Sequence, residues 1–264
     1  MMTKQTLAWI GLAAALAVGE AFAAPYVVQK NGKRMEGIAI RALQNGAINL
    51  TTDQGIQTFP KGSYAQAVAD KPAEFDRAVA ALRAGKHDDA IKLLGKIITD
   101  YRLLNWDIEA SKLLPQALLA KGDAEGAVAA YNKLFALAPD LKKTNADAAW
   151  GMRQAMLAAK QYPALVRELD AVAASGSRPD AARAQIMRGD IQVAQNNLEQ
   201  AALDFLRTAI LFLDVKDPAI QGEAHLKAAQ ALEALRDPRA KDLYRRLVEK
   251  FPSAPQAAQA QAKL

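Results

Sequence analysis

Lys121-Gly122-Asp123-Ala124-Glu125-Gly126-Ala127-Val128-Ala129-Ala130-Tyr131, with the run that continues to Pro139, is the stretch on which the fold turns. The Gly-Asp step suits a tight turn between two helices, and Asp belongs where the second helix needs its first N–H groups capped. Ala127, early in that helix, is small enough for a paired helix to approach closely. Tyr131, one turn on, fills the gap to the neighbouring pair, and Pro139 ends the helix before the next begins.

The same phrase recurs along the chain. Residues 78–101, 115–139, 153–172, 189–213 and 228–252 superpose by hand. Ala90, Ala127, Leu165, Ala201 and Ala240 then share one position, at intervals of 37, 38, 36 and 39 residues. Four residues later stand Leu94, Tyr131, Leu169, Phe205 and Tyr244, and three further on Ile97, Leu134, Val172, Thr208 and Leu247. Gly85 fills the turn slot of Gly122, Gly189 the small-residue slot of the fourth segment, and Pro252 closes the fifth. This spacing predicts five stacked helix pairs, with a last helix starting near Ser253 as a cap.

The pattern resembles the tetratricopeptide repeat, most closely in the second segment. Every interval is longer than the family's period of about 34 residues. The third segment departs furthest, with Lys160 in the turn slot and Leu165 at the alanine. Pro115 falls inside an expected first helix, where it should bend that helix or delay its start. Tyr244 to Leu264, in which a helix ends in Phe-Pro and small residues follow Ser253, is similar to periplasmic tetratricopeptide proteins of outer-membrane assembly and of the Tol-Pal system. Those carry a coiled coil ahead of the repeats, where this chain has strand signals.

The strand signals lie in residues 26–60. Tyr26 to Lys30, a run from Lys33 to Ala42, Ala47 to Thr51, and Ile56 to Phe59 are separated by Asn31-Gly32, Asn45-Gly46 and Asp53-Gln54-Gly55. Asn-Gly joins twisted antiparallel strands because both residues tolerate positive φ. The expected unit is a small antiparallel meander of about four strands over residues 24–66, of a size that an SH3-like barrel would fit. It should pack on the first helices, having little core of its own. The fold class is therefore mainly α: a tetratricopeptide-like solenoid over residues 70–264, preceded by this β segment.

Residues 1–23 read as a signal peptide: Lys4, the uncharged run Leu7–Gly19, then Ala21-Phe22-Ala23, with cleavage after Ala23. The run is too short to span a bilayer comfortably, and no other stretch is long enough. The expected location is the periplasm, or outside the cell. There is no Cys, so stability comes from packing and no lipid is attached to a cysteine. The formal net charge of +6 is modest. With no interleaved aromatics, and with export removing the partner, nucleic-acid binding is not expected.

Signatures of catalysis are missing. The two histidines, His87 and His225, fall in distant segments, and His87 beside Asp88 and Asp89 reads as a solvated turn residue. No phosphate loop, nucleophile elbow or metalloprotease helix is present, and no cofactor or metal is expected. In the resembled family the first helices line a concave groove that holds a protein or peptide. Carried over by position, this implies Phe75, Val79, Lys112, Gln116, Trp150, Gln154, Arg183, Ile186, Asp190 and His225. Arg153 joins Lys112 and Arg183 as a cationic set for an acidic segment. Trp150 is the leading anchor candidate, since large amphipathic rings often anchor interfaces. The function expected is a non-enzymatic scaffold for a protein partner. The alternative is a module that binds peptidoglycan or an anionic glycan through the basic β segment and recruits proteins with its helices.

Overall fold

Residues 24–264, which the computed structural model describes, hold six strands and twelve helices. The signal-peptide reading of residues 1–23 lies outside them. The chain divides into two compact units, one ending at Ala117 and the other beginning at Leu118.

In the first unit the strands are β1 (Tyr26–Gln29), β2 (Arg34–Glu36), β3 (Ala39–Ala42), β4 (Ile48–Thr52), β5 (Gly55–Phe59) and β6 (Tyr64–Val68). They form two three-stranded antiparallel sheets, β2-β1-β6 and β3-β4-β5, which corrects the expected four-stranded meander. The run expected as one strand from Lys33 to Ala42 divides at Gly37, whose N–H donates to the Pro25 carbonyl at 2.9 Å. A Cβ at Gly37 would strike the Thr51 carbonyl oxygen, so the chain crosses between sheets where only glycine fits. β6 pairs Val68 with Tyr26 of β1, carrying the segment past residue 66. Both Asn-Gly pairs fall at strand turns as expected, but only the glycines take positive φ, 82° at Gly32 and 83° at Gly46, while Asn31 and Asn45 do not.

Val27, Ile48, Leu50 and Phe59 form the β core, and Leu104 closes it from the loop between α2 (His87–Asp100) and α3 (Trp106–Lys121). That loop is held from both sides. Trp106 Nε1 donates to the Ala69 carbonyl at 2.8 Å, and Arg102 donates to the Leu43 and Gln44 carbonyls at 3.2 and 3.3 Å. Leu103 and Asn105 are left-handed, at φ of 66° and 72°. The buried Asp107 carboxylate stabilises this turn by accepting the Leu103 N–H at 2.9 Å. Burial pushes that carboxyl above its usual range, and the backbone N–H bonds work against the shift. A separate cluster joins α1 (Ala73–Arg83), α2 and α3 through Ala78, Ala90, Leu94, Ile97, Ala110 and Ala117.

The second unit contains α4 (Ala124–Leu137), α5 (Leu141–Thr144), α6 (Ala146–Ala158), α7 (Tyr162–Ser175), α8 (Arg178–Ala194), α9 (Leu198–Leu211), α10 (Pro218–Ala234), α11 (Ala240–Lys250) and α12 (Ala257–Gln261). From α6 onward each helix packs on the next, α4 packs on α6, and α8 also touches α10. The aligned positions are core: Ala90, Ala127, Leu165, Ala201 and Ala240 are buried, as are Leu94, Tyr131, Leu169, Phe205 and Tyr244. Full burial of a side chain such as Phe205 stabilises by about 1.5–3 kcal/mol. Glycine makes room for two of the rings. A Cβ at Gly151 would overlap the Tyr131 hydroxyl, and one at Gly189 the Phe205 ring. The stretched period has two visible sources. α8 and α10 run 17 residues each, and the one-turn α5 is inserted between α4 and α6.

The turns between paired helices show a regularity the sequence hides. Gly85, Gly122, Lys160, Asn196 and Arg236 are all left-handed, with φ of 71°, 94°, 57°, 62° and 58°. Each N–H bonds three residues back, and the following N–H bonds five back, as in Lys160 to Leu157 at 3.0 Å and Gln161 to Met156 at 2.9 Å. This is the Schellman closure, which pairs the last carbonyls of a helix. Only two of the five carry the glycine that adopts it without strain.

Two further expectations are corrected. Pro115 does not delay the start of α3, which begins at Trp106 and runs continuously through that residue, giving up the bond to the Ser111 carbonyl. The last helix begins at Ala257, because the chain over Phe251–Gln256 is spent on turns that seat Ala254 against Gly222.

Candidate functional site

The residues expected to line a first-helix groove fall in both units. In the first unit Phe75 is half-buried, edge-on to Trp106 at 5.0 Å, and Val79 is half-buried beside it on α1. Lys112 is already paired with Glu109 at 2.8 Å, and Gln116 is exposed one turn on.

In the second unit α6, α8 and α10 are laced together by the polar residues they carry. Trp150 of α6 donates from Nε1 to Asp180 of α8 at 3.4 Å. Arg153 lies 4.9 Å from the Trp150 ring, donates to the Ala149 carbonyl at 3.0 Å, and approaches Glu168 at 3.7 Å. Arg183 of α8 faces Asp217 at 3.7 Å. Asp190 of α8 takes Lys227 of α10 at 2.8 Å, and Lys227 also holds Glu223 at 2.7 Å. Burial raises the Asp190 carboxyl above its usual range against the pull of Lys227. Burial would lower the Lys227 ammonium, but the carboxylates of Asp190 and Glu223 outweigh it and hold the group up. Gln154 is exposed.

Three of the expected residues do not face solvent. Ile186 is buried at 3%, Arg153 at 9% and His225 at 1% relative exposure. The reason for His225 is its helix: α10 is covered by α9, α8 and α11, and its ring packs on Phe251 at 5.2 Å. Lys112, Arg153 and Arg183 each face a carboxylate, and of the three only Arg153 is buried.

The second unit opens elsewhere. A cleft of about 660 Å³ lies between the end of α9, the α9–α10 loop and the end of α11. Its apolar wall is Ile210 and Leu213, exposed at 56% and 59%, with Val215 and Pro218 behind them. Its floor is His225 and Phe251, and its rim carries Lys216, Arg246 and Lys250. His225 Nδ1 lies 2.8 Å from the Gln221 carbonyl, which places the proton on Nδ1 and leaves Nε2 as an acceptor. Burial, aided by nearby Arg246, pushes the imidazole below its usual value, against the Gln221 bond, so the floor is uncharged at neutral pH. Leu203 extends the apolar surface one face-repeat back along α9, seven residues before Ile210, and is exposed at 50%.

The cleft had a signal in the sequence. Ala209-Ile210-Leu211-Phe212-Leu213 is apolar on every side of a helix, more than one packed face can bury. Among the described residues no group of three or more His, Cys, Asp or Glu is placed to hold a metal. No helix among them is long and apolar enough to cross a membrane.

The tetratricopeptide repeat family model matches residues 73–102 and 223–254, which cover α1–α2 and most of α10–α11. No curated protein matches the chain. Similar solved structures include MamA, residues 41 to the end, from Desulfovibrio magneticus RS-1, at 22% identity and a TM-score of 0.48 over 69% of this chain and 95% of that one. A MamA RS-1 ArsTM double mutant gives 22% identity and 0.46 over 68% and 93%. MamA MSR-1 C2 gives 17% and 0.41 over 72% and 95%.

Proposed function

We propose that this protein is an exported, non-catalytic tetratricopeptide scaffold of the cell envelope that holds a partner protein against its second unit. The observation that carries this is the set of exposed large apolar side chains Leu203 and Ile210 on α9 and Leu213 just after it, beside a cleft of about 660 Å³. Isolated exposed hydrophobics are ordinary, whereas a contiguous patch bordering a recess is the mark of an interaction surface. The first-helix residues support a structural role instead, because their charges are spent on one another. Export rests on the sequence of residues 1–23, and the resemblance of the last twenty residues to periplasmic Tol-Pal and assembly proteins agrees with it.

The test is a photo-crosslinking amino acid at Ile210 in producing cells, followed by fractionation and identification of the adduct. The reading expects a discrete protein adduct in the periplasmic or envelope fraction, absent when the crosslinker stands at exposed Lys133. No adduct, or a protein found only in the cytoplasm, overturns it.

A second reading keeps one specific support. Lys30, Lys33 and Arg41 are exposed on the β segment, and none forms an ion pair among the described residues. That arrangement fits contact with peptidoglycan or another anionic polymer. Co-sedimentation of the whole protein with wall sacculi, lost when these three are changed to Glu, would establish it; no sedimentation at low salt would dismiss it.

A further inference from the structure

Cations in this part of the second unit are mostly satisfied by their own neighbours. Arg178 holds Asp214 at 2.6 Å, and Arg207 holds Asp204 at 2.7 Å. The cleft rim is the exception. Lys216, Arg246 and Lys250 are all exposed, and none has a carboxylate within ion-pair distance among the described residues. Arg246 and Lys250 are four apart on α11 and so share a face, while Lys216 stands on the loop before α10. The three cations therefore flank the apolar wall of Ile210 and Leu213 from more than one side.

We propose that this cleft receives an amphipathic, acidic segment of the partner protein, its apolar side chains on Ile210 and Leu213 and its carboxylates on Lys216, Arg246 and Lys250. The inference rests on the scaffold reading above and adds the chemistry of what is held. A volume of about 660 Å³ lies in the range that buries a few side chains, and the uncharged His225 floor adds no further cation beneath them. Charge complementarity selects the occupant. A second copy of this chain, at net +6, is a poor match for a cationic rim. A lipid surface fits worse than a peptide, because membrane binding uses apolar side chains that project beyond their cationic neighbours, and here they line a recess.

The experiment selects a phage-displayed library of random 12-residue peptides on the whole protein at low salt. The selected peptides are then measured against two variants: Lys216→Glu/Arg246→Glu/Lys250→Glu, and Ile210→Asp/Leu213→Asp. All five positions are at the surface, and unchanged melting temperatures confirm folding. The expected peptides combine Asp or Glu with two or three large apolar residues. They lose at least tenfold in affinity to either variant and bind more weakly as salt is raised. Changing their acids to Lys restores affinity for the charge-reversed variant only. Neutral or basic selected peptides, equal affinity for parent and variants, or no selection at all overturns the proposal. Sedimentation of the parent with phosphatidylglycerol vesicles, lost in the charge-reversed variant, overturns it in favour of a lipid surface. If the Ile210 crosslink still traps the same protein in the charge-reversed variant, the acidic segment fails and the scaffold survives. If no adduct forms in the parent, the scaffold itself fails.

Discussion

Two regions of the second unit, the α6, α8 and α10 row and the ends of α9 and α11, differ in what they leave unsatisfied. On the α6, α8 and α10 row, Trp150, Asp190 and Lys227 find partners on another helix, and Arg183 faces Asp217 at the start of α10. On the α9 and α11 ends, Ile210 and Leu213 are left in solvent, and Lys216, Arg246 and Lys250 form no ion pair among the described residues. Repeat proteins need contacts between successive units as much as within them, since stability is shared between a unit's own packing and its interfaces. A polar row that staples one unit to the next is occupied with that task. The exposed apolar surface has no such role in the isolated chain, and is where a partner gains most by burying area.

The largest effect should come from removing the close approach that both faces depend on. Gly189→Val places a side chain where the Phe205 ring lies, and is expected to destabilise the protein by about 3 kcal/mol, read as a lowered denaturation midpoint. Partner capture at Ile210 should fall with it. A wild-type midpoint would mean that α8 and α9 separate freely and that the comparison has no rigid frame.

Lys227→Met breaks the staple alone. It strands Asp190 and Glu223, and with both members of the Asp190 pair partly solvated the cost should be about 2 kcal/mol. Capture at Ile210 should persist under conditions where the variant remains folded. Loss of capture from a folded variant would assign the row to binding rather than to architecture.

Acid sharpens the contrast from the other side. The unfolded chain's histidine protonates near pH 6.5, while buried His225 resists the proton, so its contribution is complete above about pH 6.5 and is lost as pH falls below it. At pH 5.5 the cost is at most about 1.4 kcal/mol. Denaturant titrations at pH 7.5 and 5.5 should therefore differ more for the parent than for His225→Gln. Equal differences would mean that the cleft floor is open to solvent protons.

The smallest effect belongs to Arg183→Ala, whose partner Asp217 lies at 3.7 Å with both side chains well exposed. Stability should move by less than about 0.5 kcal/mol and capture not at all. A clear loss of binding would return the first-helix face to candidacy.

The sequence alone determined the repeat. Small residues at Ala90, Ala127, Ala201 and Ala240, and rings at Tyr131, Phe205 and Tyr244, sit where helix packing requires them, and that requirement is local and periodic. It determined where two strand turns lie as well, because Asn-Gly marks a turn, although only the glycine of each pair takes positive φ. Tertiary structure decided what periodicity does not encode. β6 needed the partner β1, with Val68 paired to Tyr26 far back along the chain, hence no local pattern marks it. Lys160 and Arg236 occupy left-handed turns that their residue types do not announce, because the packed helices on either side impose the closure. For the candidate site the division is the same. Alignment told which residues lie on first helices, but exposure depends on what covers a helix and pairing on what lies opposite. That is why His225 ended beneath Phe251 and Asp190 beside Lys227, while the open surface formed where a helix has more apolar sides than neighbours.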